Sequence, residues 1–167
     1  MADKFKRSEV EAILSEYRNV IIALQEMIDD VSYTNLTTVV DSSGTDTNYH
    51  SIQAILTHVV SSGYSYVGYI RKLKKVPDNS PGKVLKISAI EYHNALDHLI
   101  AYTNETFIDI KDDELEEFDE KRKIKTAWGQ VYDIEQMMEH AVVHVLRHRR
   151  QIEKFKRRLE LLERPQA

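Results

Sequence analysis

The sequence predicts an all-α protein, and within that class a four-helix bundle. Four long segments carry apolar residues at the i, i+3, i+4, i+7 spacing of an amphipathic helix. Two of these segments begin with a serine followed three residues later by glutamate, the spacing of a helix capping box. No strong strand pattern competes with them. Four such helices most simply bury their apolar faces against one another, so we predict one domain over residues 1–167.

The first helix is predicted from about Ser8 to Val31. Ser8 and Glu11 supply the capping-box spacing at its start. Its apolar face consists of Val10, Ile13, Leu14, Tyr17, Val20, Ile21, Leu24, Ile28 and Val31. Residues 32–48 are polar and rich in turn-forming types, which predicts a loop that lets the chain cross or turn before the second helix.

The second helix is predicted to begin at residue 49 or 51 and to end at Lys74. Its apolar face consists of Ile52, Ile55, Val59, Tyr66, Ile70 and Leu73. His58 lies on the edge of this face, where a lone histidine is most often a structural residue. Gly63 and Gly68 weaken the helix but permit close packing against a neighbour. Proline, asparagine and glycine in residues 76–82 end it.

The third helix is predicted to begin at about Ser88. Ser88 and Glu91 repeat the capping-box spacing. Its predicted buried side consists of Ile90, Ala95, Leu96, Leu99, Ile100, Tyr102 and Phe107. His93 and His98 are five residues apart and so about 140° apart around the helix, which makes them a poor chelating pair. We interpret both as surface or packing residues.

The remaining chain leads from an acidic connector into a long last helix. Residues 109–120 are interpreted as a solvated connector in which Leu115 and Phe118 contact the helices. Ile124 is predicted to anchor a short extended piece in the basic run that follows. The last helix is predicted over residues 130–163, and its basic second half is interpreted as a solvated face.

Three histidines recur at four-residue intervals on that last helix: His140, His144 and His148. Residues four apart stack on one helical face, so neighbouring imidazoles can share an ion, but His140 and His148 are roughly 12 Å apart along the axis. On a helical wheel, the apolar arc of the last helix consists of Met137, Ala141, Val145, Ile152, Phe155, Leu159 and Leu162. His148 lies within this arc and His144 at its edge, whereas His140 turns to the flank of Arg147 and Arg158. Buried neighbouring histidines are costly to satisfy, so this pair predicts a metal site over ordinary packing, with His58 as the natural third ligand.

The composition is typical of an ordinary globular protein. The formal net charge is −4, with 30% charged and 42% hydrophobic residues, which does not indicate a nucleic-acid partner. The absence of cysteine excludes disulfides, thiolate metal sites and a cysteine nucleophile. Residues 1–7 lack the apolar core of a signal peptide, and no apolar run approaches the roughly 20 residues that span a bilayer. We therefore predict a cytoplasmic protein without a membrane or nucleic-acid partner.

Two histidine motifs resemble those of the DinB superfamily, the DNA-damage-inducible, YfiT-like metalloenzymes. One is His144-Val145-Leu146-Arg147-His148-Arg149-Arg150-Gln151-Ile152, and the other is the apolar run from Ser51 that ends in His58. The likeness covers nearly the whole chain in helix order and spacing. It implies an up-down-down-up bundle, frequent homodimers, and a metal held by one histidine of the second helix and two of the fourth, here His58, His144 and His148. Many members have glycine at the position of Arg150.

The resemblance also implies a small-molecule substrate, because members with assigned activities are transferases or isomerases that use low-molecular-weight thiols. Three imidazoles leave a divalent ion with an open position, which is typical of catalytic sites; zinc suits this ligand set best, and nickel, iron or manganese also fit it. Gln151 lies one turn beyond His148 and is a candidate for contacts behind the ligands. Three hypotheses follow: a metal-dependent transferase or hydrolase, a metal-binding bundle without catalysis, and a metal-free helical interaction protein.

Overall fold

The structure is a computed structural model that describes residues 8–163, and it is mainly helical. Its helices are α1 (Glu9–Ile28), α2 (Tyr33–Thr37), α3 (Ile52–Leu73), α4 (Ala89–Thr106) and α5 (Ile134–Glu163). Two strands, β1 (Ile124–Lys125) and β2 (Val131–Tyr132), form an antiparallel hairpin, and 3-10 turns cover Thr47–Tyr49 and Asp112–Glu114. The predicted all-α class is therefore confirmed. The prediction about a signal peptide falls on residues 1–7, outside the described residues.

Side-chain caps start the long helices. The Ser8 hydroxyl accepts a hydrogen bond from the backbone N–H of Glu11 at 3.0 Å, and the Ser88 hydroxyl accepts one from Glu91 at 3.3 Å. Both predicted capping boxes thus mark real helix starts, because the serine oxygen satisfies a backbone donor that has no partner within the first turn. Ser51 does the same for α3 by accepting from the N–H of Ala54 at 3.1 Å.

The last helix starts four residues later than predicted. Asp133 accepts from the backbone N–H of Gln136 at 2.8 Å, and the Gln136 side chain accepts from the backbone N–H of Asp133 at 3.1 Å. This reciprocal cap places the first helical residue at Ile134. Val131 and Tyr132, predicted as helix, instead pair with β1, and Ile124 anchors that strand with 5% exposure, as predicted.

The predicted loop after the first helix contains a further short helix. α1 ends at Ile28 rather than Val31, because Ser32 caps a new turn by accepting from the backbone N–H of Asn35 at 3.1 Å. Leu36 in this turn is fully buried. The turn is too short to show a helical repeat of apolar residues, so periodicity does not reveal it.

α1 and α3 each pack against both α4 and α5. Lys156 of α5 donates to the backbone oxygen of Met27 at the end of α1, at 2.8 Å, so the carboxyl-terminal parts of these helices lie side by side. Gln25 of α1 donates to the backbone oxygen of His93 at the start of α4, at 3.1 Å. α1 therefore runs parallel to α5 and antiparallel to α4.

α3 and α4 run parallel, with matched hydrogen bonds near both ends. The hydroxyls of Thr57 and Tyr92 are 2.5 Å apart near the start, and Nε of Arg71 donates to the Thr106 hydroxyl at 2.7 Å near the end. Between them, a Cβ added to Gly63 would lie 2.5 Å from a methyl carbon of Leu99, so the helices approach more closely than any other residue permits. The predicted close packing at Gly63 is confirmed.

Some residues predicted to be buried are exposed. Ile90 is 64% exposed, because it lies about 200° around α4 from Tyr92, which takes the core position. Phe118 is 88% exposed on an irregular segment, although Leu115 of the same connector is buried as predicted. Leu73 and Leu162, in the last turns of α3 and α5, are also exposed. Among residues 8–163, no helix is both long and apolar enough to cross a membrane.

Candidate metal centre

The three predicted histidines come together between α3 and α5. Nε2 of His144 lies 3.0 Å from Nε2 of His58 and 3.2 Å from Nε2 of His148. One ring nitrogen from each residue lies within 4.8 Å of the other two. The predicted convergence is therefore confirmed.

Helix geometry explains this convergence. His144 and His148 are one turn apart on the same face of α5. His58 lies in the first half of α3, and Tyr66 in its second half contacts His140 near the start of α5 at a ring distance of 5.1 Å. α3 thus runs antiparallel to α5 and brings His58 level with the pair.

The hydrogen-bond partner of His148 determines which of its ring nitrogens carries the proton. Nδ1 of His148 lies 3.0 Å from the Oε1 atom of Gln151. An amide oxygen only accepts, so Nδ1 carries the proton and Nε2 presents a lone pair to the other histidines. This is the contact behind the ligands that the spacing of Gln151 predicts, and it holds the ring in a ligand orientation.

Hydrogen bonds alone do not satisfy the three ring nitrogens. Nε2 of His144 is within hydrogen-bond distance of both other Nε2 atoms, yet a neutral ring nitrogen offers either one proton or one lone pair in its plane. A divalent ion accepts all three lone pairs. Zinc–nitrogen bonds of about 2.0–2.1 Å at angles of roughly 90–110° separate the ligand atoms by about 2.9–3.4 Å, and both measured separations fall in that range.

Burial keeps these histidines neutral near pH 7. Loss of solvent, together with the neighbouring imidazoles, lowers the pKa of His144 to about 3 and the pKa of His58 to about 4. Burial also lowers the pKa of His148. A metal ligand must be the unprotonated imidazole, so the protein environment prepares this state before any ion binds.

Aromatic rings from the turn before α3 and from α3 itself pack against the histidines. The Tyr49 ring is nearly parallel to His148, with centroids 5.6 Å apart and 9° between planes, and it meets the edge of His58 at 5.3 Å. Tyr49 belongs to the 3-10 turn before α3, so its role does not follow from helical spacing. Tyr66 of α3 contacts His144 edge-on at 5.4 Å.

His140 lies outside the trio, as predicted, but not on an open flank. Trp128 of the hairpin turn stacks on its ring at 5.5 Å, and the Tyr132 hydroxyl lies 3.3 Å from its Nδ1. The His140 and His144 centroids are 6.4 Å apart. His140 therefore belongs to an aromatic wall beside the trio, which the hairpin builds and which a helical wheel of α5 alone does not reveal. Gly129, with φ +87°, makes the hairpin turn.

The trio opens into a cleft of about 730 Å³. One wall is the loop from Asp41 to His50, including Tyr49, and the other is the face of α5 that carries His144, Arg147, His148, Arg150, Gln151 and Lys154. A ligand in this cleft has direct access to two of the three histidines.

The histidines of α4 take no part in the site, in agreement with the prediction. Nε2 of His93 lies 2.8 Å from a carboxylate oxygen of Asp29, and His98 is exposed. Among the described residues, the histidines that lie close enough together to hold a metal ion are therefore those of the trio.

No protein-family model, curated protein or solved structure matches this chain.

Proposed function

We propose that this protein is a divalent-metal-dependent enzyme of thiol-transferase or hydrolase type, in which Nε2 atoms of His58, His144 and His148 hold the ion. The observation that carries the proposal is the approach of the three ring nitrogens, at 3.0 and 3.2 Å, beside an open cleft. Three neutral imidazoles are the ligand set of many catalytic zinc sites, and closed structural sites use four protein ligands.

Zinc is the proposed ion, with nickel, iron and manganese as alternatives, because imidazole binds all of them. When bound, a divalent ion supplies a Lewis acid that lowers the pKa of a water or thiol in its open position. The protein's own residues prepare for this: Gln151 orients His148, Tyr49 stacks on the same ring, and burial keeps His144 unprotonated.

We further propose that the four long helices form an up-down-down-up four-helix bundle of the DinB superfamily, as a single domain. The helix contacts support this topology, since α1 and α5 run one way and α3 and α4 the other. His58 lies on α3, the second long helix, and His144 and His148 lie on α5, the fourth, as the family resemblance implies.

A small molecule, possessing a thiol or a hydrolysable group, is the proposed substrate of a cytoplasmic enzyme. The cleft volume of about 730 Å³ lies within the roughly 300–1,000 Å³ of small-molecule sites. No nucleic-acid or membrane partner is proposed. We propose a homodimer, supported by exposed apolar side chains close together in the chain: Val84, Leu85, Ile87 and Ile90.

Metal analysis of protein purified without an affinity tag tests the proposal. We expect about one divalent ion per chain, and its loss in His58→Ala, His144→Ala and His148→Ala variants. His98→Ala is the matched control, because His98 is an exposed histidine outside the site. A parent protein that neither contains nor takes up zinc, nickel, iron or manganese contradicts the proposal.

Catalysis is separated from mere metal storage by a substrate screen. Metal-loaded protein is incubated with thiol conjugates and simple esters, and turnover is compared with that of His144→Ala. Turnover that requires both the ion and His144 supports an enzyme. Stoichiometric metal without turnover of either substrate class supports a metal-binding bundle without catalysis.

A further inference from the structure

Three cationic side chains line the same cleft as the histidines. Arg147, Arg150 and Lys154 follow His144 on α5 at intervals of three, three and four residues. This spacing keeps them along one side of the helix. They therefore line the cleft from the level of the trio, at Arg147, toward the carboxyl-terminal end of α5, at Lys154.

These cations have no protein partner among residues 8–163, unlike their neighbours. Lys156 pairs with Asp30 and Arg157 pairs with Glu153, each at 2.5 Å. None of Arg147, Arg150 and Lys154 forms a salt bridge or hydrogen bond within the described residues. Basic side chains that face a cleft without forming an ion pair are available to bind an anion.

The opposite wall contains two carboxylates, which are occupied by the loop itself. Asp41 accepts from the backbone N–H of Ser43 at 3.0 Å and from its hydroxyl at 2.6 Å. Asp46 accepts from the backbone N–H of Asn48 at 2.9 Å. These bonds hold the loop in shape. Both carboxylates keep their charge, so the lining carries three cationic and two anionic side chains, and the surplus of positive charge lies on the α5 wall.

We infer that the cleft binds an anionic small molecule, whose carboxylate or phosphate group is held by Arg147, Arg150 and Lys154 while its reactive atom reaches the metal. This inference rests on the proposed metal function and specifies its substrate class. Guanidinium groups suit it, because their planar N–H donors bind both oxygens of a carboxylate or phosphate. Lys154 is six residues beyond His148, about 9 Å along the helix axis, which sets the span of the ligand.

Cobalt-loaded protein and two thiols of similar size test the inference. Mercaptosuccinate carries two carboxylates, and 1-thioglycerol is uncharged. Binding of either thiol is followed by the thiolate-to-cobalt absorption band. We expect mercaptosuccinate to bind at least about tenfold more tightly at low ionic strength, the size of one charge-assisted hydrogen bond. Added salt at about 0.5 M is expected to reduce this preference.

Arg150→Gln and Arg157→Gln form a matched pair of variants. Both remove one exposed positive charge from α5, but Arg157 does not line the cleft. We expect Arg150→Gln to lose most of the preference for mercaptosuccinate and Arg157→Gln to retain it. A preference that persists in Arg150→Gln reflects chelation by the thiol itself and overturns the inference.

The outcomes separate this inference from the proposed function. Protein that takes up neither cobalt nor zinc, nickel, iron or manganese overturns the metal proposal and the anion site together. Protein that binds cobalt and both thiols with equal affinity overturns the anion site alone and leaves the metal proposal standing.

Discussion

Buried polar groups are paired differently on the two faces of α3. Toward α4, complementary polar groups meet: Thr57 bonds to Tyr92, and Arg71 donates to Thr106 through Nε and forms an ion pair with Glu105 at 3.3 Å. Toward α5, three histidine nitrogens face one another, and a linear hydrogen bond between two of them leaves the third without a partner in the trio. Matched donors and acceptors hold helices together without a ligand. Converging lone pairs need an additional positive charge, and this difference distinguishes a structural interface from a binding site.

The largest expected effect is on metal affinity at the α5 face. His144 supplies the central nitrogen, within 3.2 Å of both others. We expect His144→Ala to weaken zinc binding on the order of a thousandfold, or ~4 kcal/mol, because the two remaining ligands no longer define a site. A competition titration against a chelating dye measures this. Thr57→Val, on the α4 face, is the control and should bind zinc like the parent.

Thermal stability separates a ligand histidine from a packing histidine at His148. Zinc at a hundred times its Kd should stabilise the parent by about 2.7 kcal/mol, since it binds only the folded state. Metal-free His148→Ala should differ from the metal-free parent by about 1 kcal/mol or less, because truncation leaves a cavity but also removes one of three ring nitrogens that compete for the same hydrogen bond.

Melting curves of both proteins, each with zinc and with chelator, measure these two effects. If His148→Ala loses about 1–3 kcal/mol equally in zinc and in chelator, the ring is a packing residue and the comparison between the two faces fails.

The α4 face should respond to packing and not to metal. A Cβ on Gly63 would lie 2.5 Å from Leu99 and 2.9 Å from the Tyr17 hydroxyl, and both of those side chains are buried. We therefore expect Gly63→Val to destabilise the protein by about 2 kcal/mol, with or without zinc. Urea denaturation measures the loss. A smaller loss in zinc than in chelator would show that the two faces are coupled.

A smaller loss of zinc affinity is expected when Gln151, which lies behind the ligands, is replaced. Gln151 accepts from Nδ1 of His148 and so orients the ring. Gln151→Ala should weaken zinc binding about tenfold, or ~1.4 kcal/mol, while the stoichiometry stays at one. Gln151→Glu, which keeps an acceptor at the same distance, should restore most of the affinity in the same titration.

The smallest expected effect is the pH dependence of the stability of the metal-free protein. Burial lowers the folded-state pKa of His58 to about 4 and of His144 to about 3, below the value of about 6.5 in an unfolded chain. As pH falls from about 6.5 toward 4, the unfolded chain binds protons that the folded one does not, so the metal-free protein becomes less stable. The fall in melting temperature between pH 7 and pH 5 should be smaller in His144→Gln. An equal fall in both proteins would locate the titration elsewhere.

The positions of the helices were predictable, whereas several of their ends were not. Apolar spacing predicts each long helix, because one face of each meets the core. Asp133 and Gln136 form the cap of α5 through the spacing of a capping box, but the apolar residues before Asp133 extended the helical prediction into β2. Ile90 was misplaced because a helical wheel does not decide whether it or Tyr92 faces the core.

The histidine trio was predictable from helix geometry together with the family resemblance, which implies His58 as the third ligand. Two ligands are one turn apart, and the third follows from the packing of two helices. Tyr49 and Trp128 were not predictable as neighbours of the site, since they lie in a 3-10 turn and a hairpin turn. The conformation of such segments depends on the tertiary contacts that they make, and a periodic pattern does not encode these.

Because Trp128 stacks on His140, its fluorescence can report on the candidate metal centre. Trp128 is the only tryptophan in the chain, so all tryptophan emission comes from one position. His140 separates its indole ring from His144, which belongs to the trio. A paramagnetic ion such as cobalt or nickel held by the trio would quench this emission at short range. Metal uptake and release can therefore be followed in the unlabelled protein.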